Sequence, residues 1–489
     1  MNTAIQNKIR RKLNNGATIN SIMIEELIAD HSPIAEKTLG LWKRYKGEVP
    51  IKHRELPEYV TNEKIANDFF GSIVNQKVGY FAGIPINYDL DKTKYEVGKD
   101  ESNEEVRKAL NTTSLGQYKK HAETINDFIL RNNMHDLDSE MTKILAVCGH
   151  AGRKMYIDKN GFERVVNVKP YETIFLLNEH KEVEYALRYY IEYNIDDELV
   201  THVEFYDGSQ VFYFVENSQD TKSEGEKFVL NIAGYPDNPK MHLFDYCPFV
   251  FFQNNEESQS DLEKVLDLID NYDTVLSNNS NELNGFLLAY MYFEGEMPDE
   301  KVMEQVKKIG AFHIPVGSKI GYVTKQLDPT FGDSFLDRVE GNIQRFSQSV
   351  DFLDESFGNI SGIALQYKLQ ALSNKSISLE SKFKRSLSEM MKIVTSTWEK
   401  RKVNVYYLDV FFTFKRNLPV DYEYEAKVTG LLQGKVSERT RLTLLSFIDD
   451  VEYELEEMKK DAEAYSVPYT DPNTPVDKEY NLDNLPKDE

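Results

Sequence analysis

The stretch Glu256-Glu-Ser-Gln-Ser-Asp261-Leu-Glu-Lys-Val-Leu-Asp267-Leu-Ile-Asp270-Asn-Tyr-Asp273-Thr-Val-Leu-Ser-Asn-Asn-Ser-Asn-Glu282-Leu-Asn284 decides how the chain is laid out. Leu262, Val265, Ile269, Tyr272, Leu276 and Leu283 recur at helical spacing, which predicts one long amphipathic helix. Eight of its residues are acidic and only Lys264 is basic, a local charge of −7. A small insert follows. Residues 286–293 read as a strand, Pro298–Ile309 as a helix opened by proline and closed by Gly310, and Phe312–Val316 and Ile320–Leu327 as strands. A second long helix begins after Gly332, with Phe335, Val339, Ile343, Phe346, Val350 and Leu353 on one face. Two long helices bracketing a small α/β module would carry it away from the body. The expected fold class is therefore α+β, in an elongated subunit.

The flanking regions fit that outline. Residues 1–60 are helical in pattern, and another helix is expected from Asn62 through Val74, ended by Gly79-Tyr-Phe-Ala-Gly83-Ile-Pro85. Residues 87–120 are charged and predicted to be a solvated loop, with a helix over 114–134. Strands are expected at Ile144–Cys148, Thr173–Leu177, Tyr185–Tyr190, Val211–Val215 and Pro248–Phe252, and a hairpin turn at Asp158-Lys-Asn160-Gly161. A third long helix carries the stripe Leu369, Leu372, Leu379, Phe383, Leu387, Met390, Val394 and Trp398. Residues 362–416 hold 11 basic and 4 acidic residues, a local +7. Residues 421–466 are helical again, with Ser437 as an N-cap, and the proline-rich tail from 467 is expected to be disordered.

Composition excludes several classes. At 489 residues the chain has room for about three domains. A net charge of −23 argues against a broad basic surface that coats nucleic acid. The 29 Tyr and 27 Phe argue against disorder. Two cysteines, Cys148 and Cys247, make no disulfide framework and no cysteine zinc site. The longest apolar runs are about eight residues, too short to span a membrane. The N-terminus lacks the apolar stretch of a signal peptide, so the chain is expected to stay where it is made.

Catalytic motifs are weak. Gly430-Leu-Leu-Gln-Gly434-Lys435-Val436 has its glycines one residue too close for a phosphate-binding loop, and no Ser or Thr follows the lysine. Cys148 and His150 would need a distant acid to form a nucleophilic pair; an ordinary strand-end histidine is the simpler reading. The acids of 256–284 are spread over seven helical turns and cannot converge on one metal within one chain. No cofactor, metal site or catalytic residue is expected. A metal-dependent nuclease, a packaging ATPase with a degenerate phosphate loop, and a capsid structural protein that never surrounds DNA stand as the alternatives.

Six stretches carry a resemblance. They are Tyr45-Lys46-Gly47; Ile73-Val-Asn-Gln-Lys77-Val-Gly79-Tyr80-Phe-Ala-Gly83-Ile-Pro85-Ile86; Pro248-Phe-Val-Phe-Phe-Gln-Asn254-Asn255; Ser260-Asp261-Leu-Glu-Lys-Val with Leu268-Ile-Asp270-Asn-Tyr272 and Ser277; Ser361-Gly362-Ile-Ala364-Leu-Gln-Tyr367-Lys368-Leu; and Val436-Ser437-Glu438-Arg-Thr440. In this order, over about residues 40–455, the chain resembles the portal proteins of long-tailed bacteriophages of Gram-positive hosts. The resemblance implies a non-catalytic homo-oligomeric ring of about twelve subunits at one capsid vertex, with double-stranded DNA in its axial channel. It also implies as partners the terminase large subunit, scaffolding and major capsid protein, and the head–tail adaptor, with no membrane. The location would be the virion, and the host cytoplasm during assembly.

By the same resemblance, residues 1–255 form a wing, 256–284 and 329–353 the stem helices, and 285–328 the clip. A tunnel loop falls at 354–361, a long wing helix and return strand at 362–420, a crown at 421–466 and a tail at 467–489. The stem lining would include Asp261, Asp267, Asp270, Asp273, Asp337 and Glu340. The tunnel loop would place Asp354, Glu355, Ser356, Phe357, Gly358, Asn359 and Ile360 at the narrowest point. Strands of neighbouring clips would pair, burying Phe286, Tyr290, Tyr292 and Phe312. An acidic wall would let DNA slide without binding its phosphates. Lys382, Lys384, Arg385 and Lys392 are then expected to pair with acidic neighbours rather than face DNA.

Overall fold

In the computed structural model the stripe from Leu369 to Trp398 lies on a single helix, Gly362–Lys400, and all eight of its apolar residues are buried. Phe383 sits among Phe81, Phe252 and Phe414, with ring centroids 5.1–6.0 Å apart. The structure describes residues 2–58, 61–95, 104–193, 197–217, 226–287, 290–294, 317, 319–323, 329–350, 362–417, 422–445, 447–448 and 451–465. They fall into two compact units, 1–417 and 418–489.

The first unit holds the sheets. Strands β2 (His150–Ile157), β3 (Glu163–Val168) and β10 (Phe249–Gln253) form an antiparallel sheet in the order β10-β2-β3. The β2–β3 turn uses the expected Asn-Gly. Gly161 supplies the positive φ of 81°, and Asp158 Oδ1 accepts from the amides of Asn160 and Phe162. Strands β4 (Thr173–Leu177), β5 (Val183–Tyr193), β6 (Leu199–Tyr206), β7 (Gln210–Glu216) and β8 (Phe228–Leu230) form a meander, and β9 (Lys240–Met241) also pairs with β7. Helices Ala4–Asn14 and Ser21–Tyr45 pack on this sheet through Ile9, Met23, Ile24 and Leu27, against Leu187, Val203 and Phe205.

Several expectations are corrected. Ile144–Cys148 is not a strand but the end of helix Met134–Cys148, where Leu145, Ala146 and Val147 are fully buried and an apolar run carries no periodicity to read. The helix expected from Asn62 begins only at Phe69, because Asp68 caps it by accepting from the Gly71 amide. The loop expected over 87–120 contains β1 (Asn87–Leu90), paired with β13 (Val410–Thr413), and the helix expected at 114–134 is Glu104–Asn132.

Around the insert, the first stem helix is Leu266–Leu287, so residues 256–265 precede it and Phe286 lies on a helix rather than a strand. The second stem helix is Pro329–Ser347, ending before Val350. Between them, β11 (Tyr290–Glu294) pairs antiparallel with β12 (Lys319–Val323), with Tyr290 opposite Val323 and Tyr292 opposite Gly321. Phe312, the expected 298–309 helix, the 312–316 strand, the loop 354–361 and the tail from 467 lie outside the described residues.

The second unit contains helices Tyr422–Leu431, Glu438–Thr443 and Val451–Tyr465. Ser437 caps the middle one as expected, its hydroxyl accepting from the Thr440 amide. Gly434, at φ 75°, lies in the turn before that helix, so the glycine-spaced stretch 430–436 is a helix–turn–helix connection.

Candidate functional site

The two stem helices pack against each other. Ile269, Val339 and Ile343 are buried in one core with the long helix, and Tyr272 packs against it. The first helix has three distinguishable faces. One carries Ile269 and Tyr272 into this core. A second is covered by the chain's own residues 63–67, which run extended beside it. There the Glu63 amide donates to Asn281 Oδ1 (2.7 Å), the Ile65 amide to Ser277 Oγ (3.0 Å), and the Asn67 amide to Asp273 Oδ1 (2.9 Å). Positions 273, 277 and 281 are four residues apart, so one helical row satisfies the amides of an extended segment. The third face is solvent-exposed at Asp267, Asn271, Thr274, Asn278 and Glu282, with Arg54 donating to Asn278 Oδ1 (2.8 Å).

This arrangement separates the proposed stem-lining acids. Asp267 and Asp337 are exposed, and Glu340 is half-buried. Asp270 receives both guanidinium nitrogens of Arg44, at 2.7 and 2.8 Å. Asp273 is buried under Asn67, and burial raises its carboxyl above the ordinary range despite the Asn67 donors. Asp261 is not on the helix at all; its side chain is covered by its own chain. These last two are therefore corrected from wall residues to internal partners.

Asp261 belongs to a buried network at the root of both stem helices. Lys77 Nζ lies 2.6 Å from Asp261 Oδ2 and donates to Asn254 Oδ1. Asn254 Nδ2 donates to Asp261 Oδ1 (2.9 Å), and Lys375 Nζ is 3.1 Å from the same oxygen. Burial pushes the Lys77 ammonium down to about 8, partly offset by the charge of Asp261. Burial alone would raise the Asp261 carboxyl, but Lys77 and Lys375 outweigh it and hold it below its ordinary value. Lys375 also donates to Ser347 O (3.0 Å), the last carbonyl of the second stem helix. Lysine at a helix C-terminus opposes the negative end of its dipole. Sequence reading missed Lys77, although its signal was present: it is the lone basic residue of helix Phe69–Ala82, flanked by the buried Ile73, Val74, Tyr80 and Phe81.

The basic residues of the long helix are paired, as expected. Lys382 bonds Glu256 (2.6 Å), Lys384 Glu380 (2.7 Å) and Lys392 Glu182 (3.0 Å), while Arg385 lies 3.5 Å from Glu389 and donates to the His180 carbonyl. Lys181 also bonds Glu256, and hydrogen bonds from these two lysines pull that carboxyl down to about 2.

The nucleophile candidate has the wrong electrostatics. Burial pushes the Cys148 thiol up to about 12, and its Sγ faces the Thr38 carbonyl. Burial also lowers His150 to about 4, with further repulsion from His31 and Lys37. A thiol held protonated beside a neutral imidazole is not an activated pair. Among the described residues, no group of three His, Cys, Asp or Glu could hold a metal ion, and no helix is long and apolar enough to cross a membrane.

Comparison with known proteins joins this geometry to a family. The family model described as phage portal protein, SPP1 Gp6-like, matches residues 24–467. The portal protein of Clostridium phage phiCD119 is 26% identical over 437 residues, covering 83% of this chain and 86% of its own length. The portal protein of Bacillus phage SPP1 is 23% identical over 472 residues, covering 91% of this chain and 87% of its own.

Proposed function

Because the chain belongs to the SPP1 Gp6-like family of phage portal proteins, we propose that it assembles into a ring of about twelve copies at one capsid vertex and conducts double-stranded DNA during packaging and ejection. The structural observation that carries this reading is the stem. Two helices leave and re-enter the body at one buried network, and between their far ends lies a small β module. In the ring, the exposed Asp267 and Asp337, with the half-buried Glu340 one turn beyond Asp337, line the channel, and residues 354–360 form its narrowest part. A wall of this kind offers DNA few cations, because the basic residues of the long helix already have carboxylate partners.

The β11–β12 pair is two strands wide among the described residues. Two strands are marginal alone, so clips of adjacent subunits pair edge to edge through Tyr290 and Tyr292, with Phe286 and Phe312 at the same joint. The terminase large subunit docks there during packaging and the head–tail adaptor afterwards, while scaffolding and major capsid protein contact the wing. The subunit itself contributes no catalysis.

Imaging the purified chain by negative stain tests this reading. Ring-shaped particles with an axial hole are expected, and particles without a hole would contradict it. Metal-dependent DNA cleavage or ATP turnover by the same preparation, abolished by changing one carboxylate, would instead establish an enzyme.

A further inference from the structure

Helix Pro329–Ser347 stops with Gln348 in the left-handed region, at φ 59°. The Gln348 and Ser349 amides cap the helix by donating to Arg345 O (3.4 Å) and Gln344 O (3.1 Å), so Val350 is the first residue past its own hydrogen bonds. This end is held from two further sides. The Gln76 side-chain amide donates from Nε2 to Val350 O, and its Oε1 accepts from the Val350 amide (2.8 Å). One side chain thus imitates a neighbouring strand, satisfying both backbone groups of a single residue. Val350 also packs against Tyr80, Leu369 and Leu372. The adjacent Lys77 reaches the same region by a second route, through Asp261 to Lys375 and so to Ser347 O.

We propose that Gln76 and Lys375 are positioning residues for the channel wall: they clamp the end of the second stem helix, Ser347–Val350, to helix Phe69–Ala82 and to the long helix. This rests on the reading of that helix as part of the DNA conduit. The arrangement makes physical sense for a sliding conduit. Force along the stem would reach its C-terminal end, where the helix's own hydrogen bonds stop after Ser349. Two side chains rooted in other helices supply the support there. The Gln76 arm is neutral and insensitive to salt, whereas the Lys375 arm carries charge that its link to Asp261 holds in place.

The test uses assembled full-length chains with Gln76→Ala, Gln76→Glu and Lys375→Met. Gln76 is partly exposed, so its variants should fold. In Q76A the Val350 amide should exchange with solvent about five- to tenfold faster, as expected for loss of one hydrogen bond, while amides of helix 69–82 keep their protection. Rings should still form, and DNA packaged per procapsid should fall. Q76E keeps the acceptor but sets a carboxylate oxygen against Val350 O in place of the Nε2 donor, so it should recover only part of the Val350 amide's protection. K375M should lower packaging in the same way. Unchanged Val350 exchange in Q76A would overturn the clamp. Faster exchange with undiminished packaging would overturn the positioning role. If wild-type rings themselves fail to package DNA, the conduit reading falls, and the exchange result still decides the clamp.

Discussion

The acidic entry to the stem and the basic long helix are near mirror images in sequence, −7 over 256–284 and +7 over 362–416. In the folded chain neither surplus becomes a surface of its sign. Glu256 meets Lys382, and Asp261 meets Lys375, so the two segments partly neutralise each other. Arg44 and Lys37 from the second helix take Asp270 and Glu263. The remaining face of the first stem helix carries the exposed Asp267 and Glu282 among polar amides and a threonine, with Arg54 donating to Asn278 there. A local charge surplus therefore reports a need for a partner at least as readily as a solvated face.

The comparison can be broken most forcefully at Asp261. Asp261→Ala leaves the buried Lys77 without its counter-charge, and removing one partner of a buried pair costs about 3–5 kcal/mol. Chemical denaturation should show that loss, and a change below about 1 kcal/mol would mean the network is not a unit. Asp273→Ala leaves the Asn67 amide without its acceptor, for an expected loss of about 1–3 kcal/mol in the same measurement.

Lys77 gives a pH signature that sharpens the same contrast. Its folded value, about 8, lies below its ordinary 10.5. The cost of burying its charge is thus fully present below pH 8 and is relieved as pH rises toward 10.5. Relative to Lys77→Met, the wild type should gain about 2–3 kcal/mol in unfolding free energy between pH 7 and 10. A flat difference would place Lys77 in a solvated setting. The smallest effect belongs to the surface of the long helix. Lys384→Ala breaks an i, i+4 pair with Glu380 and should cost under about 1 kcal/mol.

Much of this was legible beforehand. The long helix and its stripe were readable because eight apolar residues keep helical spacing against a polar background. The β4, β5 and β7 strands and the Asn-Gly turn were readable from local patterning and turn chemistry. Pairing of Lys382, Lys384, Arg385 and Lys392 with acids followed from the opposite charge of the rest of the chain. The failures share one cause: tertiary environment. Ile144–Cys148 is apolar on all sides, so neither helix nor strand leaves a period. Asp261 and Asp273 look like any other acid in an acidic stretch. Only the approach of Lys77 to one and of Asn67 to the other, from some 200 residues away in sequence, distinguishes them. Asn67 lies in a segment that sequence periodicity assigns to a helix, whereas the structure makes it an extended strip whose amides need acceptors.

The most direct test of the account places a photo-crosslinking residue at one position at a time in rings stalled during packaging. Positions 267 and 337, on the open faces of the two stem helices, should crosslink to DNA. Position 273, beneath the chain's own residues 63–67, and position 384, on the long helix, should not. DNA crosslinked at 384 and absent from 267 and 337 would show that the basic helix, not the stem, faces the duplex.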